Sequence, residues 1–381
     1  MKRRIVALVS LAMVAGAVGF YVGYFRESAP GGRLSKGSPS PSPVPSTFTT
    51  LWVSDFKGNR VFAVDRTGEV VWEQYMASAP IPPRSANVHV EYVTVAPDGN
   101  LIVADGEGMM VQELDRKTHA VVWQYGVRSV QGYEKGFLHQ PDKAYKVNDH
   151  EVLINDGNNR RVIIVDQRTN DVVWQYGKTL VMGSSPGLLR GNTHAVAVND
   201  GREILITDTL EKKLLLVDRE SQRIVWEWRK PDAKWLQHVF PTPKGTFILE
   251  DRQKNEVFEV NREGQILWTL SELADGARLR YPTDAMKLGN GNILIAVADR
   301  GRIIEVSPTT REVVWQYGGG SRLGRSPVPG GDHRSGGVPP AGGDQPTPRA
   351  SAGFPTTIAI DPFDVAQGHP LRASQSDQRS P

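Results

Sequence analysis

An Asp, a short polar turn and then Val-Val-Trp-x-x-Tyr, or a close variant, recur six times along this chain. The copies are DRTGEVVWEQY ending at Tyr75, DRKTHAVVWQYG at Gly126, DQRTNDVVWQYG at Gly177, DRESQRIVWEW at Trp228, NREGQILWTL at Leu270 and PTTREVVWQYG at Gly318. Their tryptophans, Trp72, Trp123, Trp174, Trp226, Trp268 and Trp315, follow one another at 51, 51, 52, 42 and 47 residues. A period of roughly 40–50 residues carrying several strand signals builds one radial blade per repeat. The expected fold is therefore all-β, a six-bladed β-propeller of four-stranded antiparallel blades spanning residues 48–318.

Each period resolves into four short strand-like runs bounded by Asn, Asp or Gly. In the third unit these are AYKV from Ala144, EVLIND to Asp156, RVIIVD to Asp166 and DVVWQYG to Gly177; in the fourth they are HAVAVNDG, EILITD, KLLLVD and RIVWEW. The middle runs are apolar on both faces, so each sheet needs cover on both sides, which radial stacking of blades supplies. The repeated indole is then a spacer in the widening gap between one blade and the next, since all six tryptophans share one repeat position.

SDFKGNRVFAVD and NDGNNRRVIIVD resemble NHL-type repeats. VDRTGEVVW and its copies resemble the tryptophan-docking motif of quinoprotein-like (PQQ-like) propellers such as the outer-membrane assembly lipoprotein. Gly-Asn-(Leu/Ile)-Leu-Ile strands combined with Val-Val-Trp-Gln-Tyr endings are similar to arylsulfotransferase-like propellers. The resemblance covers about Leu51 to Gly318 and implies blade architecture; these families share blades and not chemistry.

Ahead of the repeats, Lys2, Arg3 and Arg4 precede an uncharged, mostly apolar run from Ile5 to Phe25, long enough at about 20 residues to cross a bilayer once. A cleaved signal peptide ending at Ala15-Gly16-Ala17 is the rival reading. An uncleaved anchor is preferred, because apolar residues continue past that site through Val18, Phe20, Tyr21, Val22 and Tyr24. The basic flank places the N-terminus in the cytoplasm and the propeller outside it, as a single-pass protein of the cell membrane. Residues 26–47, rich in Pro, Ser and Gly, read as a tether. The chain has no cysteine, which excludes disulfides, thiolate metal sites and cysteine nucleophiles. Its formal charge of +3 is small for the length and gives no basis for a nucleic-acid surface.

The first unit lacks an inner strand, because the linker precedes it. After a Gly/Pro/Arg-rich insertion at 319–352, FPTTIAI (Phe354–Ile360) resembles the openings VFPTPKG and YPTDAMKL of units five and six. Residues 353–360 are thus expected to close the ring as the inner strand of blade one, leaving 361–381 as a disordered tail.

Chemistry in a propeller gathers where the innermost strands begin, around the channel mouth. Counting back roughly ten residues from each second strand reaches Glu91, Asp142, His194, His238 and Asp284. His89, His139, Asn192, Gln237 and Arg280 lie nearby. Together Glu91, Asp142, Asn192, His194, His238, Arg280 and Asp284 are the candidate ligand-binding set. Imidazoles and carboxylates of this kind suit a divalent metal, with His194, His238 and Asp284 as candidate ligands. They suit general acid/base work equally. The arylsulfotransferase resemblance implies His194 or His238 as the sulfate-accepting nucleophile and Asn192 or Arg280 as a sulfate ligand. The sequence departs from that family in lacking a further His and Arg pair in matching blades, in having no cysteine and in being short. Against all of these stands a structural ring, in which inner-strand polar groups bond to backbone and trapped water.

The Asp that closes each second strand (Asp55, Asp105, Asp156, Asp208, Asp251 and Asp299) reads as turn chemistry, with Arg60 and Arg160 expected to pair with such an Asp. No phosphate loop, Ser-His-Asp arrangement or zinc-protease helix is present. A PQQ cofactor is not expected, since the tryptophan motif belongs to the scaffold.

These readings converge on a membrane-tethered extracytoplasmic binding or scaffold module, monomeric, whose partner is a cell-envelope protein or a small ligand. An arylsulfotransferase-like or metal-dependent enzyme is the alternative. If the tail is foreign to the fold, deleting Asp361 to Pro381 leaves the melting temperature almost unchanged; a large drop in a thermal melt would reject that boundary.

Overall fold

The computed structural model describes residues 48–56, 58–76, 90–191, 193–298, 301–319 and 355–360 of the chain. They form six antiparallel sheets of four strands each. Inner strands are Pro355–Ile360 in blade one, Val90–Val95 in two, Pro141–Lys146 in three, Thr193–Val198 in four, Leu236–Pro241 in five and Pro282–Lys287 in six. Each packs on its neighbours around a common axis. The expected anchor and tether (1–47), the insertion from 320 and the tail lie outside the described residues. Among the described residues no helix is long and apolar enough to cross a membrane.

The hydrophobic core is divided among the wedges between blades. Ile154 and Ile163 of blade three pack with Val111 and Tyr125 of blade two in one wedge. Leu153, Val162 and Ile164 of the same blade pack with Ile204 and Ile206 of blade four in the next. Alternate residues of one strand thus serve two wedges, which is why these strands are apolar on both faces.

Blade one is assembled from both ends of the chain. Its inner strand, Pro355–Ile360, pairs antiparallel with Thr50–Asp55. The join leaves no open sheet edge at the axis. The registers correct one detail of the sequence comparison. Pro282 and Pro355 do open their inner strands, opposite Val297 and Asp55. Pro241 instead closes the inner strand of blade five, opposite Phe247, so VFPTPKG is not equivalent to the other two phrases. A proline is tolerated at a strand's first or last residue because no ladder donor is required there.

Every repeated tryptophan reaches the next blade. Trp72 Nε1 donates to the Arg116 carbonyl at 2.8 Å, Trp174 to Arg219 at 2.9 Å, Trp226 to Arg262 at 2.7 Å, Trp268 to Pro308 at 2.9 Å and Trp315 to Arg66 at 2.8 Å. Trp123 uses the Asn170 side chain at 2.9 Å. All acceptors lie in the turn that leads into the neighbour's outer strand, and the Trp315 bond joins blade six to blade one. A β-bulge stands immediately before each tryptophan: Val71, Val122, Val173, Val225, Leu267 and Val314 have no partner on the third strand. Such a bulge bends and twists the strand, re-aiming the indole and turning the outer edge away from flat pairing with another chain. The doubled apolar residue that breaks alternation in Val-Val-Trp is this extra residue. The glycine ending three copies marks a close backbone approach: a Cβ on Gly177 (φ +89) would stand 2.3 Å from the Arg160 carbonyl oxygen.

The aspartates that end the second strands anchor turns. Asp55 accepts from Gly58 N at 2.8 Å and Asp105 from Gly108 N at 2.7 Å. Asp156, Asp208 and Asp251 also accept from His139 N, Arg190 N and Trp235 N on the loop entering the inner strand. Asp299 lies outside the described residues. Arg60 pairs with Asp55 at 3.0 Å, as expected. In blade three the partner of Asp156 is Arg161, at 2.8 Å, and not Arg160. Arg160 occupies the left-handed turn position, with φ +60, and so belongs to the turn, not the strand.

Two outcomes test this scheme. A chain ending at Gly319 loses the inner strand of blade one and is expected to melt well below the full chain, by more than the tail deletion alone. Trp174→Phe, which removes the indole N–H from the one repeat tryptophan that is buried, is expected to cost about 1–3 kcal/mol in denaturant unfolding. A loss within about 0.5 kcal/mol would remove the cross-blade bond from the account of stability.

Candidate functional site

Side chains from blades two to six meet at the axis, with a backbone amide from blade one. Their common origin is the register of the inner strands. In blades two, three and six a bulge near the strand start displaces Glu91, Asp142 and Thr283 from the ladder, and in blade five Gln237 and His238 together oppose Glu250. Blade four has no bulge: Thr193 pairs with Asp208 and His194 with Thr207. Below the bulges, Tyr92, Lys143, His194, His238 and Asp284 occupy equivalent places and meet.

Tyr92 Oη donates to Asp284 Oδ2 at 3.0 Å, although blade one lies between their blades. The same carboxylate accepts from the amides of Ile358, at 3.2 Å, and Ala285, at 3.0 Å. His238 Nδ1 lies 2.5 Å from the Thr283 carbonyl oxygen. A carbonyl only accepts, so Nδ1 carries the proton. The His238 ring stands edge-on to His194, with centroids 4.3 Å apart, and to Tyr92, at 5.4 Å. Glu250 Oε1 accepts from His238 N at 2.6 Å. The Lys143 ammonium sits over Tyr92, 3.9 Å from the ring centroid, and near Tyr145, at 5.0 Å.

Burial governs the charges here. His194 and His238 are both pushed well below the usual imidazole range by desolvation, His194 further by the Lys143 cation, His238 further by His194 and Lys143. Both are neutral at physiological pH. Burial, then the Asp284 charge, lifts Glu250 well above the carboxylate range. Burial also raises Asp284, opposed by Lys143 and by the bonds from Ile358 and Tyr92. A neutral imidazole pair, a neutral Glu250 and a Lys143 facing Asp284 form a stable arrangement in a low-dielectric interior.

Of the residues singled out from sequence, His194, His238 and Asp284 meet in this axial network. Glu91 and Asp142 stand above it at the mouth. Arg280 is exposed and lines a polar cavity of about 500 Å³ beside Lys254, Asn255 and Tyr281, between blades five and six. Asn192 and His89 lie outside the described residues. Among the described residues no three His, Cys, Asp or Glu side chains are arranged to hold a metal ion. His194, His238 and Asp284 form no such group. Tyr92, Lys143, Tyr145 and Glu250 were missed in the sequence. Glu250 had a legible signal, since it is a lone acid inside the apolar run FILED where the register places Ala104, Asn155, Thr207 and Ala296 in other blades.

Glu91 is raised to about 8, chiefly by burial and then by Asp142, Glu107 and Asp105; Asp142 is raised to about 7 by burial and Asp156. A folded pKa above the unfolded one makes a contribution that is fully present below the unfolded value near pH 4 and is lost as pH rises through the folded value. Glu91→Gln and Asp142→Asn are therefore expected to stabilise the protein at pH 8, on the order of 2 kcal/mol each, with little effect at pH 4. Equal effects at both pH values in urea unfolding would contradict the desolvation of these carboxylates.

No curated protein matches the chain. Among solved structures it is similar to a Bacteroides caccae protein of unknown function, with 14% identity over 71% of this chain and 94% of that one and a TM-score of 0.54. It also matches streptogramin B lyase, with 14% identity over 74% and 85% of the two chains and a TM-score of 0.49. A third match is the β-propeller domain of Myceliophteria thermophila Cps50 (Swd1), with 13% identity over 70% and 86% and a TM-score of 0.47. The first of these supports the propeller fold and no more. In sequence, residues 57–186 and 158–328 each match the PQQ_2 family, described as outer membrane protein assembly factor BamB, and the chain belongs to that family of PQQ-like repeat propellers.

Proposed function

We propose that this protein is a binding or scaffold module of the cell envelope, held to the membrane by its apolar N-terminal run and presenting the mouth and rim of a PQQ-like propeller to a partner. The observation that carries this reading is the filled axis. A transferase of the arylsulfotransferase-like kind needs an imidazole nitrogen open to substrate, whereas His194 is 3% and His238 4% exposed and His238 Nδ1 is committed to Thr283. The contacts of Tyr92 with Asp284 and of His238 with Thr283 across blades, with neutral imidazoles, support a scaffold role for the axis and leave binding to the surfaces above it. The BamB-type family is named for assembly of outer membrane proteins, and a role in bringing envelope components together is consistent with a tethered propeller.

The histidines separate this reading from the enzymatic one. His194→Ala and His238→Ala are each expected to lower stability by about 2–4 kcal/mol, His238→Ala more because it removes the ring N–H that the Thr283 carbonyl accepts. The purified protein is expected to show no metal-dependent thermal shift and no aryl sulfate turnover. Turnover that disappears in either variant while the fold survives in circular dichroism would overturn the scaffold assignment.

A further inference from the structure

The mouth above the axial network is electrically polarised, and the polarity follows from two repeat positions. At the inner-strand bulge, blades two and three place Glu91 and Asp142. Immediately after the Asp that ends the second strand, the same two blades carry Gly106 and Gly157. These glycines make room for the acids: a Cβ on Gly106 would stand 2.8 Å from Glu91 Cγ, and one on Gly157 would stand 3.0 Å from Asp142 Oδ2. Neither carboxylate accepts a hydrogen bond among the described residues, and both residues are half-buried.

Blade five has the reverse pattern. Its bulge region supplies the neutral Gln237, and the residue after Asp251 is Arg252. In a six-bladed ring blade five stands opposite blade two. The Arg252 guanidinium lies 5.6 Å from the Tyr281 ring centroid, and its charge acts on both Glu91 and His238. Among the described residues its Nε is buried with no hydrogen-bond partner, as is Oε1 of the neighbouring Gln237. Between the acid side and this side, blade four has no bulge residue. Thr193 there is fully buried and its hydroxyl has no partner.

We propose that this mouth binds a small bipolar ligand, with an ammonium group between Glu91 and Asp142 and an anionic group against Arg252: a zwitterion of the amino-acid or short-peptide class. The assignment rests on the reading of the mouth as a binding face. It accounts for the unpaired acids, the unpaired guanidinium nitrogen and their placement on opposing blades, all of which a merely structural rim leaves unexplained. Ammonium and guanidinium pairs with carboxylates are the charge-assisted hydrogen bonds best able to offset the desolvation of these groups.

The test is calorimetric titration of the full-length protein in detergent with glycine and with di-, tri- and tetraglycine, alongside N-acetyl-diglycine and diglycinamide. One length of free peptide is expected to bind, and blocking either terminus is expected to weaken it by at least about tenfold. Glu91→Gln with Asp142→Asn should abolish the sensitivity to N-acetylation, and Arg252→Met the sensitivity to amidation, each with an unchanged circular dichroism spectrum. Affinity should rise between pH 6 and pH 8 as Glu91, facing Asp142, Glu107, Asp105 and Arg252, and Asp142, facing Asp156, lose their protons. Binding of none of these peptides, or equal binding of free and blocked forms, overturns the proposal. Binding of calcium alone, insensitive to Arg252→Met, also overturns it and makes the acids a cation site. The histidine variants decide the scaffold reading separately, so a mouth without a zwitterion and a catalytic axis give different results.

Discussion

The indole N–H that crosses from each outer strand to a turn of the next blade is the contact on which the rest of the molecule depends. Four strands apolar on both faces cannot be stable alone, and the wedge cores on either side of each blade form only if blades sit at one fixed angle and height. Nonspecific apolar packing leaves that height free to slip. A directional bond from a fixed position on a rigid ring does not. Its net worth is only about 1 kcal/mol, but the bond recurs in every blade, and at the buried Trp174 a donor left without its acceptor costs more. The bulge before each tryptophan is what aims it, and the left-handed glycine after it is what lets the strand end pass close to its own blade's turn. The repeated phrase is therefore one mechanical device: bulge, aimed indole and close approach in a single short segment.

Fixing the height of the blades also fixes what meets at the axis. Because all inner strands start at one level, the residue just below the bulge in blades two, three, five and six, and its counterpart in blade four, converge on the same small volume. That volume receives one ammonium, two imidazoles and two carboxylates with little access to water. Such a set is tolerable only if most members are neutral. Desolvation drives them that way, pushing His194 and His238 down and Glu250 and Asp284 up. The protonation pattern is thus a consequence of packing.

How much of this is legible in the sequence depends on what kind of contact is involved. The blade count, the strand order within a blade and the turn role of Asp55, Asp105, Asp156, Asp208 and Asp251 follow from period and local chemistry, since each is decided within one repeat. His194, His238 and Asp284 could be placed near the axis by counting, because counting needs only the repeat length. Tyr92 and Lys143 could not be separated from ordinary strand residues, because their importance comes from partners on other blades. Arg161 was confused with Arg160 for the same reason at shorter range: two adjacent arginines differ only in which one the left-handed turn claims. The bulges are the deepest omission. A bulge adds one residue to one strand of a pair, so its only trace is a broken alternation such as Val-Val-Trp, which also reads as an apolar run buried on both faces.

A bulge on the inner strand and a bulge on the outer strand have opposite consequences for function. The outer bulge appears in every blade, so it serves what all blades share, which is docking. The inner bulge is missing from blade four, and the residues it displaces elsewhere differ in chemistry: acids in blades two and three, an amide in five and a hydroxyl in six. A position whose geometry is nearly constant and whose side chains vary around the ring is where a repeat fold acquires a particular ligand without disturbing its packing. The axial layer below has varied side chains too, but these are locked together across the channel and changing one strands another. At the mouth, Glu91, Asp142 and Arg252 have neighbours at a distance but no bonded side-chain partners among the described residues, so substitutions there leave the axial contacts in place.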